Sequence, residues 1–349
     1  MAYTTVDNPE LYFQTKLYTG NGSSRSITFD GSENMQPDWS WFKARSEAYN
    51  HALFDSVRGT TKLIRSNQTT AEETHSTTLT AFNSDGFSLG GGDAFTNANS
   101  VTYASWHWKA GGSASSNSDG SITSSVSVNT TAGFSIVSYT GTNNNQTVGH
   151  GLGAAPKMII LKNRSTTNNW CVGHGSLGFT KHLALNETDA VGTSSVRFQD
   201  TAPTSTVYSV GAAGETNGSG NNIIAYCFAE KKGYSKFGSY TGNGGTDGTF
   251  VFCGFKPAFV ILKCSSAISK WLIMDNKRPT SGGNPNNARL FADVSNTEST
   301  TCNMLDFCSN GFKLRTTDTD HNASGSTNIY MAFAESPFVN SNGLPNNAK

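Results

Sequence analysis

One short line of this chain is written three times. Tyr18–Gly22 reads YTGNG, Tyr240–Gly244 reads the same, and Tyr139–Asn143 gives YTGTN. A repeat whose period is the length of a domain decides architecture before any other feature does. The landmarks around the line recur in order. A proline follows the tyrosine by 19, 17 and 17 residues, at Pro37, Pro156 and Pro257. Each proline opens an apolar run: PDWSWFK, PKMIILK and PAFVILK. Fourteen residues past each proline stand His51, Trp170 and Trp271, opening HALFD, WCVGH and WLIMD. A Gly-Phe pair follows in two copies, at Gly86–Phe87 and Gly311–Phe312, with VYSVG near that place in the other. Each copy closes on an aromatic run ending at Trp108, Phe228 or Phe333, which lie 90, 89 and 93 residues past the opening tyrosine.

The unit is a β-structure. Its apolar runs are short, alternating or continuous, and broken by Gly, Asn, Asp and Pro. Only the polar stretch Thr69–Thr78 has a helical look. Charged residues are 14 % of the chain, against roughly 25 % in an average soluble protein; Ser, Thr, Asn and Gly carry the polarity instead. The reading is an all-β fold of three tandem β-sandwich, jelly-roll-like repeats of about 90–100 residues. Repeat 1 takes residues 12–112. A linker strand and repeat 2 take 113–232, and repeat 3 takes 233–338; 1–11 and 339–349 are terminal segments. The linker is Ser/Gly-rich but alternates at Ile122, Val126 and Val128, which predicts one extra strand. Stacked end to end, three such units make an arm roughly 100 Å long. The repeated line itself reads as a turn, its glycines and Asn143 taking positive φ.

Several function classes are excluded at this level. With 25 basic and 25 acidic residues the chain is neutral, and without basic clusters it has no footprint for nucleic acid. No apolar run approaches the ~18 residues of a membrane helix, so no membrane insertion is expected. The start, MAYTTVDNPEL, lacks the features of a signal peptide. Asn67, Asn163 and Asn322 sit in Asn-x-Ser/Thr triplets, read as by-products of composition. The cysteines, at 171, 227, 253, 264, 302 and 308, form no Cys-x-x-Cys pair. They read as free, mostly buried thiols, with a Cys302–Cys308 bridge as the alternative. No cofactor or metal is expected.

Candidate sites are weighed against the repeat. Trp39, Trp41, Trp106 and Trp108 fall in slots that are apolar in every copy, spaced by two within strands. They therefore read as core rather than as sugar-stacking platforms; Trp170 and Trp271 share their slot with His51. Asp55 and Arg58 match Asp275 and Arg278, where the middle copy has His174 and Leu177. Such pairs are either ligand clamps, since Arg grips planar anions, or ion pairs that pin the turn after a strand. The latter is the reading preferred. Asp318, Asp320 and Asn322 have the first spacings of a calcium loop, but Ala323 and Ile329 stand where Gly and Glu are needed. GHGLG at Gly149–Gly153 is not a phosphate loop, and GHGSLG at Gly173–Gly178 lacks the first glycine of a nucleophile elbow. The seven histidines are scattered, and the chain is read as non-enzymatic.

The motifs YTGNG…GFKPAFVILK, LFDSVRG, VGHGLGAAPKMIILKNRS, SNGFKLR and YMAFAESPF resemble a repeat module of virion structural, tail-fibre-like proteins of marine bacteriophages and cyanophages. The resemblance runs over about residues 12–338. It implies a fibre-like or appendage subunit, assembled in the host cytoplasm and exposed on the particle. It also implies a homo-oligomer, with a homotrimer as its expected order, and host attachment through loops that bind surface glycan or protein. Residues 1–11 are the expected anchor to other virion proteins. A capsid decoration or head fibre without receptor role is the alternative, and a glycan depolymerase a more distant one. Function is then to be sought in residues that differ between copies, since the shared ones maintain the module.

Overall fold

The structure is a computed structural model and describes residues 3–280 and 282–345. It is an all-β fold of several antiparallel sheets. Among the described residues the only α-helices are single turns at Ser195–Phe198, Gly214–Asn217 and Thr319–Asn322. Thr69–Thr78 holds no helix and contributes the two-residue strand Glu73–Thr74. Eighteen strands recur as three sets of six. The first set is β1 (Phe13–Thr19), β2 (Arg25–Ile27), β3 (Trp39–Ala44), β4 (Ala52–Asp55), β5 (Gly86–Leu89) and β6 (Thr102–Trp108). The second is β7 (Phe134–Thr140), β8 (Gln146–Gly149), β9 (Met158–Asn163), β10 (Cys171–His174), β11 (Val207–Val210) and β12 (Asn222–Phe228). The third is β13 (Ser235–Thr241), β14 (Phe250–Phe252), β15 (Phe255–Cys264), β16 (Leu272–Asp275), β17 (Gly311–Leu314) and β18 (Thr327–Pro337).

Each set makes one large sheet with the same order: β1-β6-β3-β4, β7-β12-β9-β10 and β13-β18-β15-β16. The register is also the same. Trp39 lies opposite Trp108, Met158 opposite Phe228, and Phe259 opposite Phe333. The other two strands of each set pair in a small sheet, β2 with β5, β8 with β11 and β14 with β17. Where one linker strand was predicted there are two: Ser124–Asn129 holds Val126 and Val128 and pairs with β7, and Ser115–Asn117 pairs with it in turn to form the edge of the second sheet.

The large sheets are apolar on both faces. In β9, Ile159 and Leu161 pack with Val148 and Tyr208 of the small sheet, while Met158 and Ile160 join a different cluster. In β3, Phe42 packs with Ile27 and Phe87 of the small sheet, while Trp39 and Trp41 join that same second cluster. This cluster draws on all three large sheets, with Trp108, Phe228 and Phe333 among its members. Double-sided burial explains why the central strands read as continuous apolar runs and not as alternation. All six tryptophans are buried. Trp39 stacks on Tyr226 at 4.4 Å, Phe228 meets Phe333 at 6.0 Å, and Trp108 meets Phe333 at 5.6 Å.

A core common to three sheets corrects the end-to-end arm: the sheets pack side by side. Pattern alone could not reveal this, because an apolar face looks the same whichever partner covers it. The expected anchor lies against the body over its described part, residues 3–11. Val6 is 2 % exposed, Tyr3 donates to Gly254 O at 2.9 Å, and Asp7 accepts from Ser341 N at 2.7 Å. Met1, Ala2 and residues 346–349 of the terminal segments lie outside the described residues. Cys302 and Cys308 are free thiols, the first exposed and the second half-buried; the other four are buried.

Candidate functional site

The repeated line is a clamped turn, its first glycine buried in all three copies and its tip exposed. Gly22, Asn143 and Gly244 have φ of 70°, 58° and 74°. Gly20 and its counterparts are glycine for another reason. A Cβ on Gly20, Gly141 or Gly242 would lie 2.1, 2.3 and 2.3 Å from the carbonyl oxygens of Ala98, Gly218 and Ala323. That chain is held by an asparagine the sequence reading did not connect to the line. Asn97, Asn217 and Asn322 each accept from the backbone of Asn21, Thr142 or Asn243 at 3.1, 2.8 and 3.1 Å. Each tyrosine hydroxyl reaches the residue before that asparagine: Tyr18 to Thr96 O at 2.7 Å, Tyr240 to His321 O at 2.7 Å, Tyr139 to Thr216 O at 2.5 Å. Asn322 is thus spent on the turn, its Nδ2 donating to Gly245 O and Thr316 O. Asp318 caps the adjacent helical turn through Asp320 N at 2.8 Å. Among the described residues no three His, Cys, Asp or Glu side chains are grouped to hold a metal.

The four predicted site residues stand at the joints between sheets. Asp55 and Arg58 are fully buried and ion-paired. The Asp55 carboxylate also accepts from Val57 N (3.1 Å), Arg58 N (2.8 Å) and the Tyr226 hydroxyl of the second sheet (2.7 Å). Arg58 Nη1 donates to Lys62 O at 2.7 Å and to Glu72 at 3.1 Å, and Nη2 to Leu53 O at 3.0 Å. Asp275 and Arg278 repeat the arrangement. Asp275 accepts from Lys277 N, Arg278 N and Arg278 Nε at 3.0, 3.0 and 2.5 Å, and from Trp106 Nε1 of the first sheet at 2.8 Å. Arg278 donates to Ile273 O and Glu298, each at 2.9 Å. Burial opposes both guanidinium charges, yet the adjacent carboxylates win and raise their pKa values. Buried and saturated, neither aspartate is open to a substrate. Each pair pins its turn and also clasps the next sheet.

The second sheet does the same work without charge. His174 stands where Asp55 and Asp275 stand; its Nε2 donates to Tyr330 O of the third sheet at 3.2 Å, and its Nδ1 accepts from Ser176 N at 3.2 Å. Burial pushes its pKa down to about 4. The contacts therefore run from first sheet to second, second to third and third back to first.

Two further sets of contacts close in the same way. Glu72 N donates to Arg164 O, Val191 N to Ser265 O, and Glu298 N to Arg45 O, at 2.9, 2.9 and 2.8 Å. In the shared slot, Trp170 Nε1 donates to Arg65 O at 2.9 Å, Trp271 Nε1 to Ala184 O at 2.9 Å, and His51 Nε2 to Phe291 O at 2.8 Å. The slot is common to His and Trp because both offer an aromatic ring with an N–H at its edge. Arg164 also pairs with Glu72, and Arg45 with Glu298, so two of the three joints carry an Arg–Glu–Arg chain. Arg45 and Arg164 share an offset from their prolines and could have been found in the sequence. Glu72 and Glu298 follow their aspartates at different distances, and only the fold aligns them.

Lys43, Lys162 and Lys263 close the three apolar runs and point inward. Lys162 Nζ donates to Thr69 O and Asn168 O, and Lys263 Nζ to Thr188 O and Ser269 O. Lys43 Nζ instead donates to Ala44 O and Glu47 O of its own set, at 2.6 and 3.3 Å. Burial lowers all three pKa values to about 8. The conspicuous polar residues of the shared pattern are thus consumed in bracing turns and in holding sheets to one another. No curated protein matches the chain. A family model does match, over residues 8–337, and is described as a domain of unknown function, DUF7483. Since that match takes in the whole of the three-sheet body, the chain belongs to the DUF7483 family.

Proposed function

We propose that this chain is a structural protein of a bacteriophage virion, a fibre-like or appendage subunit. In this reading it consists of three tandem copies of a jelly-roll-like β-sandwich unit. It assembles with itself in the host cytoplasm and is exposed on the particle. Its role is mechanical and adhesive rather than catalytic, with variable loops offered to glycan or protein on the host surface. One observation carries the proposal: three closed sets of contacts tie the three sheets to one another. Such bracing gives a stiff body and leaves recognition to the loops. The three large sheets of one chain already share a core. We therefore propose that copies associate through their outer edges, around a core each copy already owns. The two terminal segments meet at Asp7 and Ser341, and that side is the proposed attachment face to other virion proteins.

The test is immunogold labelling of intact particles of the phage that encodes the chain, with mass spectrometry of purified particles. Labelled appendages are expected. Absence of the protein from purified particles overturns the proposal. Labelling confined to the head surface transfers the role to capsid decoration.

A further inference from the structure

Three small sheets offer three outer edges, and the copies differ there. The inward residues correspond: Ile27 lies opposite Phe87, Val148 opposite Tyr208, and Val251 opposite Phe312. The flanking outward residues do not. They are Ser26 and Thr28 in the first, Thr147 and Gly149 in the second, and Phe250 and Phe252 in the third. The two phenylalanines are 44 % and 51 % exposed.

The backbone of that edge is also open. In an antiparallel ladder the bonding groups of successive residues point alternately to the two sides. In the second set His150 N donates inward to Thr206 O at 3.1 Å. Thr147, on the other phase, points outward and is met by the chain's own linker. Ile122 N donates to Thr147 O at 3.0 Å, Thr147 N donates to Ser121 Oγ at 2.8 Å, and Ser124 Oγ donates to Gly149 O at 2.9 Å. In the third set Cys253 N donates inward to Asn310 O at 2.9 Å. Phe250 and Phe252 therefore direct their backbone groups outward, and no strand among the described residues covers them. The first set has an uncovered edge too, but protects it with Arg25 and small polar residues. β14 has no covering strand among the described residues, and both of its outward side chains are aromatic.

We propose that β14 is a self-association joint. Two copies of this chain pair their Phe250–Phe252 strands antiparallel about a twofold axis, with Phe250 of each opposite Phe252 of the other. That register is dictated by the edge, because it joins all the outward groups of both residues in both copies. It sets four phenylalanine rings side by side on one face. The charges agree with it. Asp247, with its side chain 85 % exposed and paired with Lys313 of its own chain at 2.6 Å, lies beyond the Phe250 end. The Lys236 ammonium lies 5.5 Å from the Phe252 ring at the other end. Antiparallel pairing brings Asp247 of one copy towards Lys236 of the second, twice per joint, whereas a parallel pairing would not. Such an isologous contact closes at two copies. The inference rests on the proposed self-assembly of the chain and names its surface.

Sedimentation equilibrium on the full chain tests it. A dimer is expected. Replacing both rings (Phe250→Ser with Phe252→Ser) raises its dissociation constant about a hundredfold or more, since four rings no longer leave water. The polar residues at the other two edges indicate that the fold tolerates this, and a thermal melt checks it. Asp247→Lys alone and Lys236→Asp alone each weaken the dimer, and the two together restore it; a merely structural role predicts no such rescue. An oligomer indifferent to all these changes overturns the joint but leaves self-assembly standing. A wild-type chain that stays monomeric across the micromolar range overturns the joint, while particle labelling still decides the virion role.

Discussion

The Trp41 indole can only donate a hydrogen bond, and it donates to His51 Nδ1 at 2.8 Å. That nitrogen must therefore be bare, and the proton must sit on Nε2, which donates to Phe291 O across the joint. His174 and His150 are wired alike, with a backbone N–H on Nδ1 and a carbonyl on Nε2. A second proton on any of them would break a bond and charge a buried ring. Burial holds His51 near a pKa of about 3 and His174 near about 4, below the unfolded value of about 6.5. The sign follows. Above pH 6.5 both states are neutral and stability is fully present. Below it the unfolded chain binds protons that the folded chain refuses, so stability falls as the pH drops towards 4 and then 3. The expected slope is up to about 1.4 kcal/mol per pH unit for each histidine. Urea melts between pH 7 and 4.5 measure it, and His51→Gln should flatten the profile; an unchanged slope counts against this wiring.

At the scale of elements, the turn after β4 and the turn after β16 each present a buried Asp–Arg pair to the neighbouring sheet, while the turn after β10 presents His174 with Leu177. One fold position accepts two chemistries because each reaches the next sheet in its own way, the aspartates by accepting from the Tyr226 hydroxyl and Trp106 Nε1 and His174 by donating to Tyr330 O. A broken pair is a different matter, since it strands a buried charge. Arg58→Leu alone should cost about 3–5 kcal/mol. The double change Asp55→His with Arg58→Leu copies the middle sheet and should recover much of that loss. Chemical denaturation of the two single and one double variant gives the coupling energy. Additive losses would show that the pair does not act as a unit. The pairing of Asp55 with Arg58 was legible in the sequence, because a three-residue spacing after a strand closes a turn locally. Its partner Tyr226 was not, because a contact 171 residues away has no spacing to betray it. Glu72 and Glu298 were hidden for the same reason.

At the scale of the molecule, three sheets share one core and three sets of contacts return to their starting sheet. A chain of 349 residues folded this way should have a radius of gyration of about 20 Å, well below that of an arm roughly 100 Å long. Small-angle scattering on the Phe250→Ser, Phe252→Ser variant measures this without the self-association proposed above; an extended profile would contradict the shared core. By itself the sequence determined the period, the strand content, the Gly–Asn turn, and the burial of Trp39, Trp41, Trp106 and Trp108. These are local or periodic properties, written within a few residues of where they act. Only the tertiary structure decided what covers the second apolar face of each large sheet. Hydrophobic burial carries no direction, so the same runs suit a stacked arm or a ring. The choice is made by the N–H donors of His51, Trp170 and Trp271 and by the buried Asp–Arg turns. Each N–H bonds a carbonyl of another set, and each Asp–Arg turn, already closed locally, adds a bond to the next sheet.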